Sequence, residues 1–211
     1  MNIQLTNAGK RFNKDWIFRH FTYHFQPANS YAITGSNGSG KSTLLQCIAG
    51  SMNLSEGEIN YFSPRSMRDG LNLSSEEIYQ HISIAAPYLE LIEEMTAGEF
   101  LKFHFSFKKF LLNTSFPQIL TEIGLQNAAD KQIRYFSSGM KQRLKLAQAV
   151  FSNAPIILLD EPCTNLDKSG YKLYHRLIQK YCSQKLIIVS SNDVNEYDFC
   201  KEKISILDYK K

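Results

Sequence analysis

The chain has 211 residues, of which 43% are hydrophobic and 21% charged, enough to bury one sizeable core within the size of a single domain. Its 24 basic and 20 acidic residues leave a charge of +4 spread along the sequence, which argues against a nucleic-acid-binding surface. The four cysteines are far apart, which argues against a disulfide framework or zinc site and fits a reducing cytosol. Neither a secretory signal nor an apolar run of the ~18 residues that span a bilayer is visible, so we expect any membrane link to be through a partner.

The chain opens with patterns typical of β-strands. Residues 3–5 and 21–25 have the alternation of period two expected of half-buried antiparallel strands. Residues 31–34 form a short apolar run that ends in a glycine-rich turn, and residues 42–49 have helical spacing with Gly50 as the stop. This part of the sequence predicts an antiparallel β region followed by a strand, a loop and a helix.

The middle of the chain predicts helices. Polar residues dominate over 63–75, which is typical of a loop, whereas helical patterns cover about 97–148. We interpret this second stretch as part of an inserted helical subdomain over approximately residues 88–150.

The last part of the chain predicts a buried parallel sheet. Residues 156–159 and 186–189 are uninterrupted apolar runs of strand length, as expected of strands buried on both faces. A helix over about 169–181 would join them as a βαβ crossover, and residues 204–207 could add a last strand.

A nine-residue segment between the predicted strand and helix matches the phosphate-loop pattern G-x-x-x-x-G-K-[ST]. Glycines let the backbone N–H groups approach phosphate oxygens at the positive end of a helix. Lys41 would supply a charge for the β- and γ-phosphates, and the Ser42 hydroxyl would ligate Mg²⁺. A flexible loop with a chance lysine is disfavoured by the strand and helix around it. The pattern leaves kinases, GTPases and ATPases open. The segment consists of Gly35, Ser36, Asn37, Gly38, Ser39, Gly40, Lys41, Ser42 and Thr43.

Two carboxylates follow directly on the apolar run 156–159. Asp160 and Glu161 would emerge at the carboxyl end of a strand, where open α/β sheets bind ligands. Asp160 suits the Mg²⁺ shell, and Glu161 suits polarising an attacking water. A turn or helix cap before Pro162 is the alternative, but the phosphate loop favours the catalytic interpretation.

Residues 136–143 place serines and a glycine before a predicted helix with Met140, Leu144, Ala147 and Phe151 on one face. Such a helix start can bind an anion, although alone it is usually only a cap. Its position shortly before the strand that leads to Asp160 favours the interpretation as an anion site.

Together these motifs resemble the ATP-binding cassette family, specifically the soluble nucleotide-binding subunit of a transporter, over nearly the whole chain. The phosphate loop corresponds to the family's Walker A motif, residues 136–142 to its signature sequence and 156–161 to Walker B, while 165–167 resemble the loop that crosses the dimer interface. The resemblance implies an α/β fold: a P-loop NTPase core with a mostly parallel sheet, an N-terminal antiparallel β subdomain and an inserted helical subdomain. One domain would cover residues 1–211.

The resemblance also implies the site and the assembly. ATP and Mg²⁺ would be the cofactors of an ATPase, and Phe12 falls where the family stacks an aromatic on adenine, although Trp16 is nearby. Two cassettes, identical or different, would pair head to tail and trap ATP between the Walker A motif of one and the signature of the other. Separately encoded transmembrane permease subunits would hold the pair at the cytoplasmic face of the cell membrane. The signature residues acting in trans would be Ser137, Ser138, Gly139 and Met140.

Two positions depart from the family pattern. Pro87 occupies the position of a γ-phosphate-sensing glutamine, and Asn192 occupies that of the switch histidine. Proline offers no side-chain ligand, and asparagine cannot take up a proton at neutral pH. A slipped alignment is an alternative at Pro87. Because Lys41, Asp160 and Glu161 are present, we expect normal ATP binding and slow hydrolysis.

The sequence over 100–112 is rich in phenylalanine and predicts a helix with two apolar faces. We expect one face, with Leu101 and Phe105, to dock a membrane partner; burial between helices of the same subdomain is an open alternative. The first face comprises Phe100, Phe103, Phe107, Phe110 and Leu111, and the second Leu101, Phe105 and Leu112.

Two other functions compete with that of a transporter subunit. A soluble cassette acting on ribosomes or DNA is disfavoured because such relatives usually have two cassettes or a long coiled-coil insertion. A regulatory or scaffold cassette that binds ATP without turnover is favoured by Pro87 and Asn192 but disfavoured by Glu161. The transported substance and its direction belong mainly to the membrane subunits.

Overall fold

The structure, a computed structural model, describes residues 1–63, 73, 75–111 and 114–210. The loop predicted over 63–75 falls largely outside the described residues, as does Leu112. None of the helices in the described ranges is long and apolar enough to span a bilayer. All four cysteines are buried free thiols.

The N-terminal region contributes to a three-stranded antiparallel sheet, of which two strands were predicted from the alternation and the third was not. Its strands are β1 (Asn2–Phe12), β2 (Asp15–Phe25) and β4 (Glu56–Phe62), in the order β2-β1-β4. Strand β3 (Ser30–Thr34) belongs to the other sheet. Ile3 pairs with Phe25 on one side and with Tyr61 on the other.

A five-stranded parallel sheet forms the centre of the molecule. The predicted crossover is confirmed, because the strands over Ile156–Asp160 and Leu186–Ser190 are parallel neighbours. The predicted last strand lies two residues earlier than expected and is followed by a 3-10 turn over Ile206–Tyr209. The strands are β3 (Ser30–Thr34), β5 (Ile82–Ala85), β6 (Ile156–Asp160), β7 (Leu186–Ser190) and β8 (Glu202–Ser205), in the order β5-β6-β7-β3-β8.

The predicted helices are present with shifted bounds, and one further helix, over Ser75–His81, was not predicted. Three helices, over 97–107, 116–122 and 138–150, lie within the region predicted to be helical. That this region forms a separate subdomain stays a prediction. The helices are α1 (Lys41–Ile48), α2 (Ser75–His81), α3 (Ala97–Phe107), α4 (Phe116–Glu122), α5 (Ser138–Val150) and α6 (Lys168–Tyr181).

The parallel sheet separates two hydrophobic layers. Because side chains alternate along a strand, Ile156 and Leu158 of β6 pack with α1 and the antiparallel sheet, whereas Ile157 and Leu159 pack with residues of α3, α5 and α6. Both faces of β6 are therefore buried, which explains its uninterrupted apolar run.

The phenylalanine-rich helix differs from its prediction. Helix α3 ends at Phe107, so the predicted faces over 100–112 do not form on one helix. Phe100 is buried together with Leu101 and Phe105, while Phe103 and Phe107 are exposed. The expectation that Leu101 and Phe105 dock a partner is wrong, because both side chains belong to the core of this chain.

Candidate nucleotide site

Some of the predicted site residues lie on segments that follow strands of the parallel sheet at its carboxyl edge, whereas Phe12 and the signature residues do not. In the strand register Ala85 pairs with Leu159, Asp160 with Ser190, and Ile33 with Ser190. The segments that follow β3, β5, β6 and β7 therefore leave the sheet side by side. This edge is where open α/β sheets bind their ligands.

The phosphate loop connects β3 to α1 with a tight backbone. Gly38 and Gly40 have φ values of 72° and 102°, which favour glycine over residues with a side chain. A Cβ atom at Gly40 would also lie 2.4 Å from Cγ2 of Ile17 in β2. The loop thus needs glycine both for its conformation and for its contact with the antiparallel sheet.

Lys41, the first residue of α1, is folded back over this loop. Its Nζ donates to the carbonyl oxygens of Gly35 and Ser36 at 2.9 and 3.2 Å. The Ser39 hydroxyl is buried without a hydrogen-bond partner among the described residues. A buried cation and a buried free hydroxyl in one loop at a helix N-terminus make a polar cradle suited to phosphate oxygens.

Asp160 ends β6 and is 2% exposed, and its Oδ1 has no hydrogen-bond partner in the described part of the chain. Burying such an oxygen is costly unless something binds it. A carboxylate oxygen and the half-buried Ser42 hydroxyl are the ligand types that Mg²⁺ prefers. The residues present therefore fit a magnesium ion.

The backbone at Glu161 is strained, which the sequence did not indicate. Its φ is 40°, a region that residues with a side chain rarely adopt. The conformation is held by hydrogen bonds from Glu161 N–H to the Ser190 carbonyl at 2.9 Å and from Thr164 N–H to the Glu161 carbonyl at 3.1 Å. Such strain is frequent at active sites, where it fixes the direction of a side chain.

The signature serines and glycine begin α5, as predicted. Ser137 caps the helix by accepting a hydrogen bond from Met140 N–H at 3.3 Å. A Cβ atom at Gly139 would lie 3.2 Å from the Asn165 carbonyl oxygen, so this glycine permits close approach of the loop after Glu161. The two loops enclose a surface cavity lined by residues 137–140, 143 and 165–167; no residue of the phosphate loop lines it.

Phe12 lies at the end of β1 and is exposed, not buried. The antiparallel sheet that carries it contacts the phosphate loop through Ile17 and Gly40. Trp16 is covered instead by the guanidinium groups of Arg11 and Arg19, at 5.5 and 4.4 Å from its ring. Lys10 Nζ also lies 5.3 Å from the centre of the Phe12 ring. Phe12 is the more exposed of the two aromatics, and its contact with adenine stays a prediction.

Comparison with known proteins assigns the family. A family model described as ABC transporter matches residues 18–164, more than half of the chain. The chain belongs to the ABC transporter family. Like the ATP-binding cassettes of that family, it is an ATPase.

Individual relatives agree with this assignment. The cytochrome c biogenesis ATP-binding export protein CcmA of Reclinomonas americana is 31% identical over 198 residues, which are 90% of this chain and 84% of that protein.

Solved structures of cassettes share the fold. One described as the ATP-binding subunit of an ABC transporter has a TM-score of 0.81 at 21% identity, covering 97% of this chain and 85% of the other. A dimer of the cassette MJ0796 in a post-hydrolysis state with ADP and Pi has a TM-score of 0.79 at 24% identity, covering 96% and 93%.

Within this ABC cassette, the two residues that depart from the family pattern, Pro87 and Asn192, lie at the same sheet edge as the phosphate loop. Asn192 Nδ2 donates to Asn37 Oδ1 at 3.0 Å, so the segment after β7 is hydrogen-bonded to that loop. Pro87 is exposed two residues after β5, and its carbonyl accepts a hydrogen bond from Lys145 Nζ of α5 at 2.8 Å. Neither contact was predicted, because each joins segments distant in sequence.

Glu196 is a further buried acid that the sequence reasoning missed. Its Oε1 accepts a hydrogen bond from Cys163 N–H at 2.7 Å, while its Oε2 has no partner among the described residues. Burial raises the pKa of Glu196 to about 7, and the negative charges of Asp193 and Glu161 add to the shift. The contact joins the loop after Glu161 to the segment after Asn192.

Proposed function

We propose that this cassette uses ATP and Mg²⁺ to energise a separately encoded membrane transporter from the cytoplasmic face of the membrane. One observation carries the proposal: the phosphate loop, Asp160, Glu161 and Asn192 share one sheet edge, whereas the signature residues line a separate cavity. One chain thus presents two different half-sites.

In this proposal, Lys41 binds the β- and γ-phosphates, and loop N–H groups hold their oxygens. Ser42 and Asp160 would hold Mg²⁺, which neutralises the charge that develops on the phosphates. Glu161, fixed by its strained backbone, would accept a hydrogen bond from the attacking water and orient it.

The separate half-sites support head-to-tail pairing of two cassettes. ATP on one phosphate loop would be covered by residues 137–140 of the second cassette, whose helix start presents free N–H groups. The γ-phosphate then bridges two surfaces, and hydrolysis removes the bridge. The dimeric arrangement of MJ0796 supports this assembly by analogy.

The exposed aromatic pair of α3 is our candidate for permease contact. The rings of Phe103 and Phe107 lie 5.1 Å apart in an edge-to-face arrangement, and Phe107 is 65% exposed. Aromatic side chains frequently anchor interfaces because they bury a large area with few rotatable bonds. A membrane-bound partner that covers this pair would remove an unfavourable apolar surface from water.

We expect slow turnover, because Asn192 cannot carry the proton or charge that a histidine could at this position. The test is the steady-state ATPase rate of the complex that copurifies from membranes with a tagged chain. We expect transmembrane subunits in that complex and a roughly tenfold higher kcat for Asn192→His.

Glu161→Gln serves as the control, since it keeps the shape of the side chain and removes the base. A fast wild type that Asn192→His does not improve would refute the explanation by Asn192. A complex that binds ATP but has no Glu161-dependent turnover would instead identify a regulatory cassette, and absence of a membrane partner would refute the transport function.

A further inference from the structure

The chain makes a tight turn directly after Glu161. Its internal hydrogen bond joins Thr164 N–H to the Glu161 carbonyl at 3.1 Å. A second backbone bond follows, from Leu166 N–H to the Cys163 carbonyl at 2.9 Å. These two bonds do not use the carbonyl of Pro162 or the N–H of Cys163, although both residues are buried.

Two buried polar side chains from other elements bind these remaining backbone groups. Gln142 Nε2 of α5 donates to the Pro162 carbonyl at 2.7 Å. Glu196 Oε1 accepts a hydrogen bond from Cys163 N–H, also at 2.7 Å. Both side chains are 3% exposed. Because a buried backbone group without a partner is costly, these two side chains help to determine the shape of the turn.

The backbone of Glu196 is itself held in place. This residue ends a 3-10 turn over Val194–Glu196, in which its N–H donates to the Asp193 carbonyl at 3.0 Å. The hydroxyl of the fully buried Tyr174 donates to the Glu196 carbonyl at 2.8 Å. The carboxylate thus extends from a fixed backbone, and its hydrogen bond fixes a residue two positions after Glu161.

Stability of the fold alone does not explain a glutamate here. Burial raises the pKa of Glu196 to about 7, and its Oε2 has no hydrogen-bond partner among the described residues. A neutral acceptor would satisfy Cys163 N–H at a lower cost to the folded state. An ionised acceptor makes the stronger hydrogen bond, which suits a group that must maintain the strained φ of 40° at Glu161.

We infer that Glu196 is a positioning residue for Glu161: by binding Cys163 N–H, it holds the strained turn in the shape that directs the Glu161 carboxylate at the attacking water. This inference rests on the proposed role of Glu161. Gln142 holds the Pro162 carbonyl of the same turn from α5, the helix that begins with the signature residues.

The test is the steady-state ATPase rate of the copurified complex as a function of ATP concentration. We expect Glu196→Ala to lower kcat roughly tenfold and to leave KM for ATP within about twofold, because the phosphate loop is unchanged. Glu196→Gln keeps an acceptor for Cys163 N–H and should restore most of kcat. Glu99→Ala is the matched control and should leave kcat unchanged. It also removes a carboxylate that accepts a backbone N–H, from Thr96 at 2.8 Å, but at the start of α3.

In a Glu161→Gln background, Glu196→Ala should have no further effect on the residual rate, since both changes act through one group. An unchanged kcat in Glu196→Ala would overturn the inference, as would a Glu196→Gln variant that is equally slow. Thermal unfolding of each variant verifies that rates are compared between folded proteins. A wild type without Glu161-dependent turnover would refute the proposed function itself, and this outcome is distinguishable because it involves no change at Glu196.

Discussion

The acids around the nucleotide site are individually unfavourable to the fold. Asp160 has a buried oxygen without a described partner, Glu161 has a strained backbone, and Glu196 has a raised pKa. Each costs free energy that a neutral or relaxed residue would not. Their concentration at one sheet edge is typical of a functional site, where perturbed groups are held by surrounding structure.

Glu196 makes a pH-dependent contribution to stability. Its pKa in the folded chain is about 7, against an ordinary value of 4.5. Between these pH values the folded state retains a proton that the unfolded state has released, so the free energy of unfolding falls as pH rises through this window. Above pH 7 this loss of unfolding free energy is complete and is on the order of 3 kcal/mol.

We therefore predict that Glu196→Gln stabilises the protein at pH 8 relative to the wild type and loses this advantage towards pH 5. Glutamine keeps an oxygen that can accept the hydrogen bond from Cys163 but never ionises. Urea unfolding at several pH values measures the difference, and Glu58→Gln, at an exposed carboxylate, is the control. A difference that does not vary with pH would contradict the assignment.

Helix α3 has a buried face that packs into the core and an exposed pair of aromatic side chains. Thr96 and Glu99 form a capping box that defines its start, and a buried face with Leu101 and Phe105 attaches it to the core. The opposite side leaves Phe103 and Phe107 in solvent. Because the buried pair and the exposed pair lie on the same helix, substitutions in each can be compared for their effects on stability and on partner binding.

We predict that Leu101→Ala lowers the free energy of unfolding by about 2–5 kcal/mol, because it leaves a cavity in the core. The double change Phe103→Ser and Phe107→Ser should alter stability by only about 0.5 kcal/mol and reduce permease copurification several-fold. Chemical denaturation and quantitative pull-down from membranes measure the two effects. Undiminished copurification of the double variant would exclude this surface as the docking site.

At the scale of the whole molecule, the phosphate loop and the signature residues, which meet during catalysis in our proposal, lie apart in one chain. The cavity beside Gly139 is built by α5 and the loop after Glu161, without a described residue of the phosphate loop. Closing an ATP site therefore requires a second cassette in our proposal. This makes complementation between two defective chains possible.

We predict that Lys41→Ala and Ser138→Glu chains are each inactive and recover activity when mixed before ATP is added. Ser138→Glu places a negative charge where phosphate would bind, yet suits the start of α5 electrostatically. Random pairing makes half of the dimers mixed, each with one intact site of two, so ATPase should reach about a quarter of the wild-type rate. Lack of recovery would exclude a head-to-tail homodimer.

Strands β4 and β5 were not predicted, whereas the central strands β3, β6 and β7, the phosphate loop and the acids after β6 could be predicted from the sequence. These are local signals: Gly40 and Lys41 are neighbours in the chain, and the apolar run of β6 is a direct consequence of burial on both faces. Alternating and continuous apolar patterns identify strands without knowledge of the partner strand. Bounds shifted by two residues at β8 and by more at β2, which begins at Asp15 and not at residue 21, because helix and strand ends depend on neighbouring elements.

Which α3 face is buried, and which side chains come together at the site edge, could not be predicted without the tertiary structure. Asn192 and Asn37 are 155 positions apart and yet hydrogen-bonded, and Lys145 reaches the carbonyl of Pro87 from another element. No periodicity connects such residues, because the contact is produced by the order of strands in the sheet. The sequence thus supplies the chemical groups at each strand end, and the sheet order determines which of them meet.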